Sequence, residues 1–548
     1  MENSGWNMYV FRDGRKTVPG ETVRKTLVDA LQEFRVRPTE DACVAALIAS
    51  GELECTLIDA GAESAQACAI TSALAEALVS GSECDPALVE RVNAISVPEE
   101  LRISVAEGFA YYALHPRKFI DLIETLRVSE SARVVGLRSI GTTLSAVVVA
   151  ALRARGVAAE RITVRPVGHP YERQLELSQS DREWLLSAGE HSQVILVDEG
   201  PGISGSSFLA TAEAVESIGI DVERIVMLGS REPDVEQLRA PRGSERWRRL
   251  RFLAVDNKPL LPEDAQEEIG GGYWRRLVLK DFDNQPACWP QLESSKYLSA
   301  DRSSMFKFHG YGHYGQRIEE RGHKLADAGF SPKALGRLRG YGNYEFLSGR
   351  VLTQADLSAT QLQRMAEYCA FRRAEFRTEE PPHEIEAMAN WNWECEFGEK
   401  PQPQIELRTE YSIIADGRMM PHEWLLTEDG RVLKVDAVSH GDDHFFPGPC
   451  DVAWDVAGAI VEWKMDENQV HDFVERYQSL SGDEVRVRLP EYVLAYAIFR
   501  MAWSKMAAQA SAGEFDEGLL MRDFQRYRER AIEAAKSRIA KQSSAKVA

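Results

Sequence analysis

From about residue 20 to 128, apolar positions recur at helical spacing. In "ESAQACAITSALAEALVSG" the Ala and Leu residues fall on one face and the run stops at a glycine, which predicts a helix ending there. No chemistry stands out in this region, which reads as scaffold or as a cap on a neighbouring site. From Ala132 the pattern changes to short apolar runs separated by helical stretches. "ARVVGL", "RITVRPVG", "SQVILVDEG" and "VERIVMLGS" read as buried strands, with "LSAVVVAALRARG" and "SFLATAEAVESIG" as crossover helices. That alternation predicts a parallel sheet covered on both faces, with ligands at the carboxyl ends of its strands. Arg138–Thr143, Arg165–Arg173, Asp198–Ser207 and Ser230–Arg231 would then share one rim.

Residues 233–290 are irregular in pattern. A second domain is expected to begin near Gln291, where "KYLSADRSSMFKFHG" reads as a hairpin, "GQRIEERGHKLADAGF" as an amphipathic helix and "LRGYGNYEFLSGRVL" as a strand running into a connector. Residues 353–540 read as helical around one β-rich patch, "YSIIADGRMMPHEWLLTEDGRVLKVDAVSHGDDHFF". The polar tail "AKSRIAKQSSAKVA" is expected to fray. The resulting division is a helical region over 1–104, an α/β parallel-sheet domain over 105–290, and a bilobal α+β domain with lobes at 291–350 and 351–548.

Composition narrows the function classes. At 548 residues the chain is too long for a single core. A net charge of −20 argues against a general binder of nucleic acid or anionic membrane. The eight cysteines are scattered with no CxxC pair, which fits reduced thiols in the cytoplasm. The N-terminus lacks the apolar core of a signal peptide, and no apolar run approaches the roughly 20 residues that span a bilayer. The expected partners are small molecules, with a homodimer left open.

The strongest chemical signal is "VILVDEGPGISGSSF". Asp198 and Glu199 fall at the tip of a buried strand. Gly200, Gly202 and Gly205 leave backbone N–H groups unobstructed, Ser204, Ser206 and Ser207 add hydroxyls, and a helix begins near Phe208. Carboxylates above a loop that cradles phosphate suit a phosphorylated sugar, with a serine-capped strand–turn–helix junction as the bland reading. The stretch resembles the phosphoribosyl-pyrophosphate (PRPP) motif of type I phosphoribosyltransferases, with a loop about one residue longer and Glu199 where many members carry Asp. The resemblance, over roughly residues 105–260, implies that Asp198 and Glu199 engage the ribose hydroxyls directly or through Mg2+, and that Gly202, Ser204, Gly205, Ser206 and Ser207 hold the 5-phosphate. "VVGLRSIGTTLS" has the form of the family's pyrophosphate loop, which offers Arg138 and the backbone of Ser139, Gly141 and Thr142. "TVRPVGHPYERQ" stands where such enzymes carry a mobile loop, and Arg165, His169 and Arg173 would bring charge to the leaving pyrophosphate.

"MFKFHGYGHYG" offers a GxGxxG at Gly310, Gly312 and Gly315, but no βαβ unit follows, and the dinucleotide reading is rejected. Lys307 lies in a strand between two phenylalanines, where an edge lysine reaching for solvent is the bland reading. The order of strand lysine, helix with Glu319 and Glu320, and strand resembles the small lobe of aminoglycoside-phosphotransferase-like kinases. This implies that Lys307 holds ATP phosphates, oriented by a helix glutamate, Glu320. Asp436 resembles the family's metal-binding Asp, and Asp451, Trp454 and Asp455 its closing segment, whose final Asp is structural. The family's His-Gly-Asp catalytic loop is replaced by "ADGRMMPHEWLL". Asp416 is the candidate base there, with His422 or Glu423 in place of the metal-binding Asn. "HGDDHFF" comes after Asp436, out of order for that motif. It reads as a polar loop, with His440, Asp443 and His444 a metal cluster as the other reading.

The sequence thus points to a PRPP-dependent phosphoribosyltransferase fused to an ATP-dependent kinase-like phosphotransferase, with Mg2+ as cofactor and PRPP and ATP as co-substrates. The alternative is a PRPP- or nucleotide-sensing regulator with a pseudokinase half. A third reading leaves only the kinase half active.

Overall fold

The computed structural model describes residues 7–10, 14–128, 131–256, 258–279, 285–380, 382, 384–445 and 448–547. Its first unit forms by burial of apolar helix faces along α1 (Gly20–Val36), α2 (Glu40–Asp59) and α3 (Ala65–Ser80). The Thr39 hydroxyl caps α2 by accepting the Ala42 N–H at 3.2 Å. α3 stops at Gly81, whose φ of 68° is the left-handed turn that glycine adopts without steric cost. A two-stranded ribbon, Lys16–Pro19 with Glu100–Ile103, accompanies the helices of this mostly helical region.

The next unit contains β1 (Ser131–Leu137), α4 (Ile140–Ala154), β2 (Ala158–Val164), β3 (Val167–His169), β4 (Glu172–Gln174), β5 (Gln193–Val197), α5 (Ser206–Ser217), β6 (Ile225–Gly229) and β7 (Arg251–Ala254). Five of these strands form a parallel sheet in the order β2-β1-β5-β6-β7. Their apolar runs are explained by cover on both faces. β7 was not foreseen; its residues are mostly half-exposed at the sheet edge. β3 and β4 form a separate hairpin where the mobile loop was expected. The strand order reverses between β1 and β5, so the connections leaving their carboxyl ends diverge and open a crevice there.

An antiparallel sheet follows, built from β8 (Ala265–Glu268), β9 (Lys296–Ser299), β10 (Ser304–Phe308), β11 (Ala334–Leu338) and β12 (Tyr341–Glu345), with α6 (His313–Asp327) between β10 and β11. The strand order is β8-β9-β10-β12-β11. β8 lies upstream of Gln291, so this sheet starts earlier than the pattern indicated; "AQEE" has one buried position and carries no apolar signal. The rest is helical around short strands, as expected, and the last helix, Phe515–Val547, runs through the tail read as fraying.

One of the three apolar cores joins the first half to the antiparallel sheet. Phe306, Phe308, Tyr311 and Tyr341 of the antiparallel sheet region are buried together with Leu47 of α2 and Val134 of β1. Gly310 and Gly312 explain the close approach: a Cβ on Gly310 would lie 3.0 Å from the Ala110 oxygen, and one on Gly312 would lie 3.2 Å from the Ala45 Cα. Their φ values, 108° and 58°, also favour glycine. These glycines serve packing, consistent with rejecting the dinucleotide motif. The eight cysteines are free thiols, and no helix among the described residues is long and apolar enough to cross a membrane.

Candidate active sites

The first site is the crevice where β1 and β5 end. Asp198 and Glu199 follow β5 directly, and the backbone holds both: the Asp198 N–H donates to the Leu228 carbonyl at 3.2 Å, and the Glu199 carbonyl accepts the Ser230 N–H at 2.5 Å. Gly205, with φ 69°, turns the chain into α5, whose N-terminus faces the same crevice. Opposite lies the β1–α4 turn. Ser139 sits there at φ 111°, a backbone conformation that a non-glycine residue adopts only when its surroundings enforce it. Gly141 lets α4 press on the sheet, since a Cβ there would lie 2.5 Å from the Val197 oxygen. Thr142 is fully buried and bonds through its N–H to Ser139, which leaves the arginine and the turn as the exposed parts of this loop.

The cationic and hydroxyl groups assigned to this site already have protein partners. Asp59, the last residue of α2, pairs with Arg138 at 3.1 Å and with Arg165. One carboxylate from the N-terminal region thereby draws together the arginines of two loops. Ser204 and Ser206 donate to the Pro170 carbonyl at 2.9 and 2.6 Å, so the β3–β4 hairpin rests its tip on the glycine-serine loop. Arg173 turns back on its own hairpin, donating to the Gly168 carbonyl at 2.6 Å, and His169 is exposed. Ser207 is the second residue of α5, and Gly202 lies in open space at φ 58°.

Burial dominates the electrostatics of the acidic pair. It pushes Asp198 up to about 7 and Glu199 up to about 8, with Glu107 adding repulsion to both. Glu199 accepts the Gly108 N–H at 2.8 Å, which places the segment after Glu100–Ile103 directly over the crevice. Neither Asp59 nor Gly108 was legible as a site residue. Their role arises from contacts spanning some 80 to 110 positions, which no local spacing encodes.

The second site is the cleft of about 210 Å3 between the antiparallel sheet and the helical lobe. Its lining includes the apolar Met305, Phe346, Leu347 and Leu425 and the charged Lys296, Lys307 and Asp436. Lys307 is buried rather than reaching for solvent from a sheet edge, and it bonds to Asp436. Lys296 sits across the strand pair from Lys307 and donates to the same carboxylate at 2.9 Å and to Glu293 at 2.9 Å. The two ammonium groups hold the Asp436 carboxyl well below the usual carboxylate range. The hairpin centred on "ADRSS" was the signal that would have found Lys296, because its symmetry sets the two lysines opposite one another.

Two expectations for this half need correction. Glu320 is exposed on α6 and does not orient Lys307; the inward position is Arg321, which donates to the Val438 carbonyl at 2.6 Å and pairs with Asp442. The 3.6-residue period of the helix carries position 320 away from the cleft. Asp416 is fully buried rather than open to an acceptor: its carboxylate accepts the Tyr368 hydroxyl at 2.5 Å and lies 3.3 Å from the Lys434 ammonium and 3.2 Å from His440. Among the described residues the groups placed to hold a metal together are Asp416, Glu423 and His440, which keeps Glu423 beside Asp416 and takes His440 alone from "HGDDHFF". Lys434 stands between Asp416 and Glu423, 2.9 Å from the latter, so an ammonium supplies positive charge there. Burial holds His422 neutral, down to about 4, and its ring stacks on Trp274. Phe446 of "HGDDHFF" lies outside the described residues. The closing segment behaves as its resemblance implied: Asp455 accepts the N–H groups of Asp416 and Gly417, both at 2.9 Å, and fixes that loop from behind.

No protein-family model matches the sequence, and no curated protein does. Among solved structures the chain is similar to choline kinase LicA from Streptococcus pneumoniae, at 14% identity over 44% of this chain and 89% of that one, with a TM-score of 0.32. It is also similar to a putative aminoglycoside phosphotransferase from Ralstonia eutropha JMP134, at 15% identity over 48% of this chain and 96% of that one, with a TM-score of 0.33. A third neighbour is choline kinase from Cryptosporidium parvum Iowa II, at 11% identity over 52% of this chain and 94% of that one, with a TM-score of 0.32. None of these three is a phosphoribosyltransferase.

Proposed function

We propose that the chain joins two transferase centres: a PRPP-dependent phosphoribosyltransferase in the crevice and an ATP-dependent phosphotransferase in the cleft. The observation that carries the first is the meeting, where the strand order reverses, of an acidic pair, a glycine-serine loop opening a helix, and two arginines gathered on one carboxylate. Displacement of pyrophosphate from ribose C1 builds positive charge on the sugar and negative charge on the leaving group. Asp198 and Glu199 face the former and Arg138 and Arg165 the latter, so positioning and electrostatics supply the catalysis. The serine hydroxyls now on Pro170 become donors to the 5-phosphate once the hairpin lifts. Oxygen ligands at a half-buried acidic pair fit Mg2+, which would neutralise charge on the diphosphate.

The second centre is supported by the bonded pair of Lys307 and Asp436 in the wall of a cleft whose lining offers apolar side chains for a purine and cationic ones for phosphates. Asp436 would hold Mg2+, exchanging its ammonium partners for nucleotide phosphates. A specific observation favours the regulatory alternative for this half: Asp416 is shielded, and Lys434 fills the space among the acidic groups beside it.

Pyrophosphate release from PRPP with Mg2+ and pooled small acceptors tests the first centre. Wild-type release abolished in Asp198→Ala/Glu199→Ala supports it; absence of both PRPP binding and turnover rejects it. For the second centre, ATP binding lost in Lys307→Ala is the expected result, and wild-type protein indifferent to ATP rejects it.

A further inference from the structure

The run that follows Asp416 gives the cleft a second polar wall. Arg418, Met420 and His422 all line the cleft, whereas Met419 is fully buried in the core of the helical lobe. This is the alternation of an extended chain, whose successive side chains point to opposite sides. It delivers a guanidinium and an imidazole, four residues apart, to one wall. The run also adjoins the charged residues described above. The Arg418 N–H donates to the Asp416 carboxylate at 3.4 Å, and His440 lies 3.2 Å from Asp416 and 3.4 Å from Asp436.

The other cations of the lining are balanced within the protein. Lys296 and Lys307 meet Asp436, Lys296 also holds Glu293, and Lys434 holds Glu423 at 2.9 Å. Arg500 faces Glu462 at 3.7 Å. Arg418 differs. It is half-buried, and among the described residues its guanidinium has no hydrogen-bond or ion-pair partner; it lies 5.8 Å from the centroid of the Trp503 ring. Glu345, a further carboxylate of the lining, sits on β12 opposite Ser304, three residues short of Lys307, and makes no ion pair with Arg418.

A charge drawn out of water is costly until an opposite charge answers it. The Trp503 ring attracts the guanidinium but accepts none of its N–H groups in the plane of the fork. That planar fork matches two oxygens of one anion, as a phosphate monoester or a carboxylate presents them. The His422 ring, stacked on Trp274 with centroids 5.5 Å apart, leaves its edge nitrogens to the same ligand. A cationic ligand on this wall would meet an unbalanced positive charge.

We propose that the wall at Arg418 binds a small anionic molecule, one bearing a phosphate monoester or a carboxylate, with Arg418 as the residue that selects its charge. Naming this molecule the acceptor of the cleft rests on the phosphotransferase reading above; the anion site itself does not.

Calorimetric titrations of the full chain with glycerol 3-phosphate, glycerate and glycerol test this, because the three share one carbon frame and differ in charge. At least one of the two anions is expected to bind, and glycerol is not. Arg418→Gln keeps the stem of the side chain and removes the charge. It should weaken the bound anion about tenfold, the loss of a bidentate charge-assisted pair, while ATP affinity holds. If Arg418→Gln does not fold, Arg418→Lys carries the test; it keeps the charge without the fork, and a loss of about threefold is expected. Failure of both anions to bind overturns the proposal, as does equal binding of glycerol or wild-type anion affinity in the variant that folds. ATP weakened in parallel with the anion also overturns it, since Arg418 would then belong to the nucleotide. ATP binding without anion binding rejects the anion site alone. Arg418-dependent anion binding without ATP binding rejects the phosphotransferase reading alone.

Discussion

Lys296 and Lys307 stand directly opposite each other on neighbouring antiparallel strands, and both ammonium groups end on the one carboxylate of Asp436. Like charges across a strand pair are destabilising, so the sheet depends on a residue from the other lobe for its balance. Asp436 is held at φ 59° to make this contact, a strained conformation concentrated at the charged end of the cleft. Removing the carboxylate should therefore cost more stability than removing one lysine. We expect Asp436→Asn to lower unfolding free energy by about 3–5 kcal/mol, the usual loss when a buried ion pair is broken from one side. Lys307→Met, which leaves Lys296 paired, should lose less. Urea melts of the two variants compare them.

The acidic pair makes stability depend on pH. Asp198 and Glu199 titrate near 7 and 8 when folded, against roughly 4 for exposed carboxyl groups. Between those limits the folded protein retains protons that the unfolded chain has released, so stability falls as pH rises from about 4 to about 8. Below about 4 this contribution is fully present. Urea midpoints measured without Mg2+ across that range should decline, and Asp198→Asn/Glu199→Gln should flatten the decline. A wild-type profile parallel to that of the double variant would remove the claim.

Asp59 competes with any anion for Arg138 and Arg165. Its replacement by Asn frees both guanidinium groups while keeping the shape of the side chain. Inorganic pyrophosphate should then bind about fivefold more tightly, in line with the ~1 kcal/mol of a partly exposed ion pair. Calorimetric titration of wild type and Asp59→Asn measures this directly, and unchanged affinity would mean that the arginines serve only the fold.

Asp455 holds the loop at Asp416 by two backbone bonds in a fully buried setting. Asp455→Ala strands two N–H groups without water and should destabilise the chain by about 2–4 kcal/mol. A thermal shift confirms this, with Asp455→Asn, which keeps one acceptor oxygen, expected to recover part of it.

Features written in contiguous residues were legible. "VILVDEGPGISGSSF" announced its strand, its acidic tip and its helix start because all three are local, whereas "FKF" gave a strand lysine without saying whether it was buried. The charge partners were not. Asp59 meets Arg165 and Asp436 meets Lys296 across more than a hundred residues, and the fold alone decides which carboxylate arrives. Glu320 shows the complementary failure. Adjacent residues on a helix point about 100° apart, so choosing among Glu319, Glu320 and Arg321 required knowing which face α6 buries. β8 escaped notice because an edge strand with a single buried residue has no period to read.

The paired glycines at 310 and 312 fix one further property of the chain. By letting the turn before α6 seat against Ala45 and Ala110, they make Phe306, Phe308 and Tyr341 of β10 and β12 part of the interior of the first half. The two halves are therefore not detachable modules. A gene divided between β7 and β8 would yield two polypeptides, each with raw apolar surface where the other belonged, and neither is expected to stay in solution. The crevice and the cleft are therefore made in a fixed one-to-one ratio.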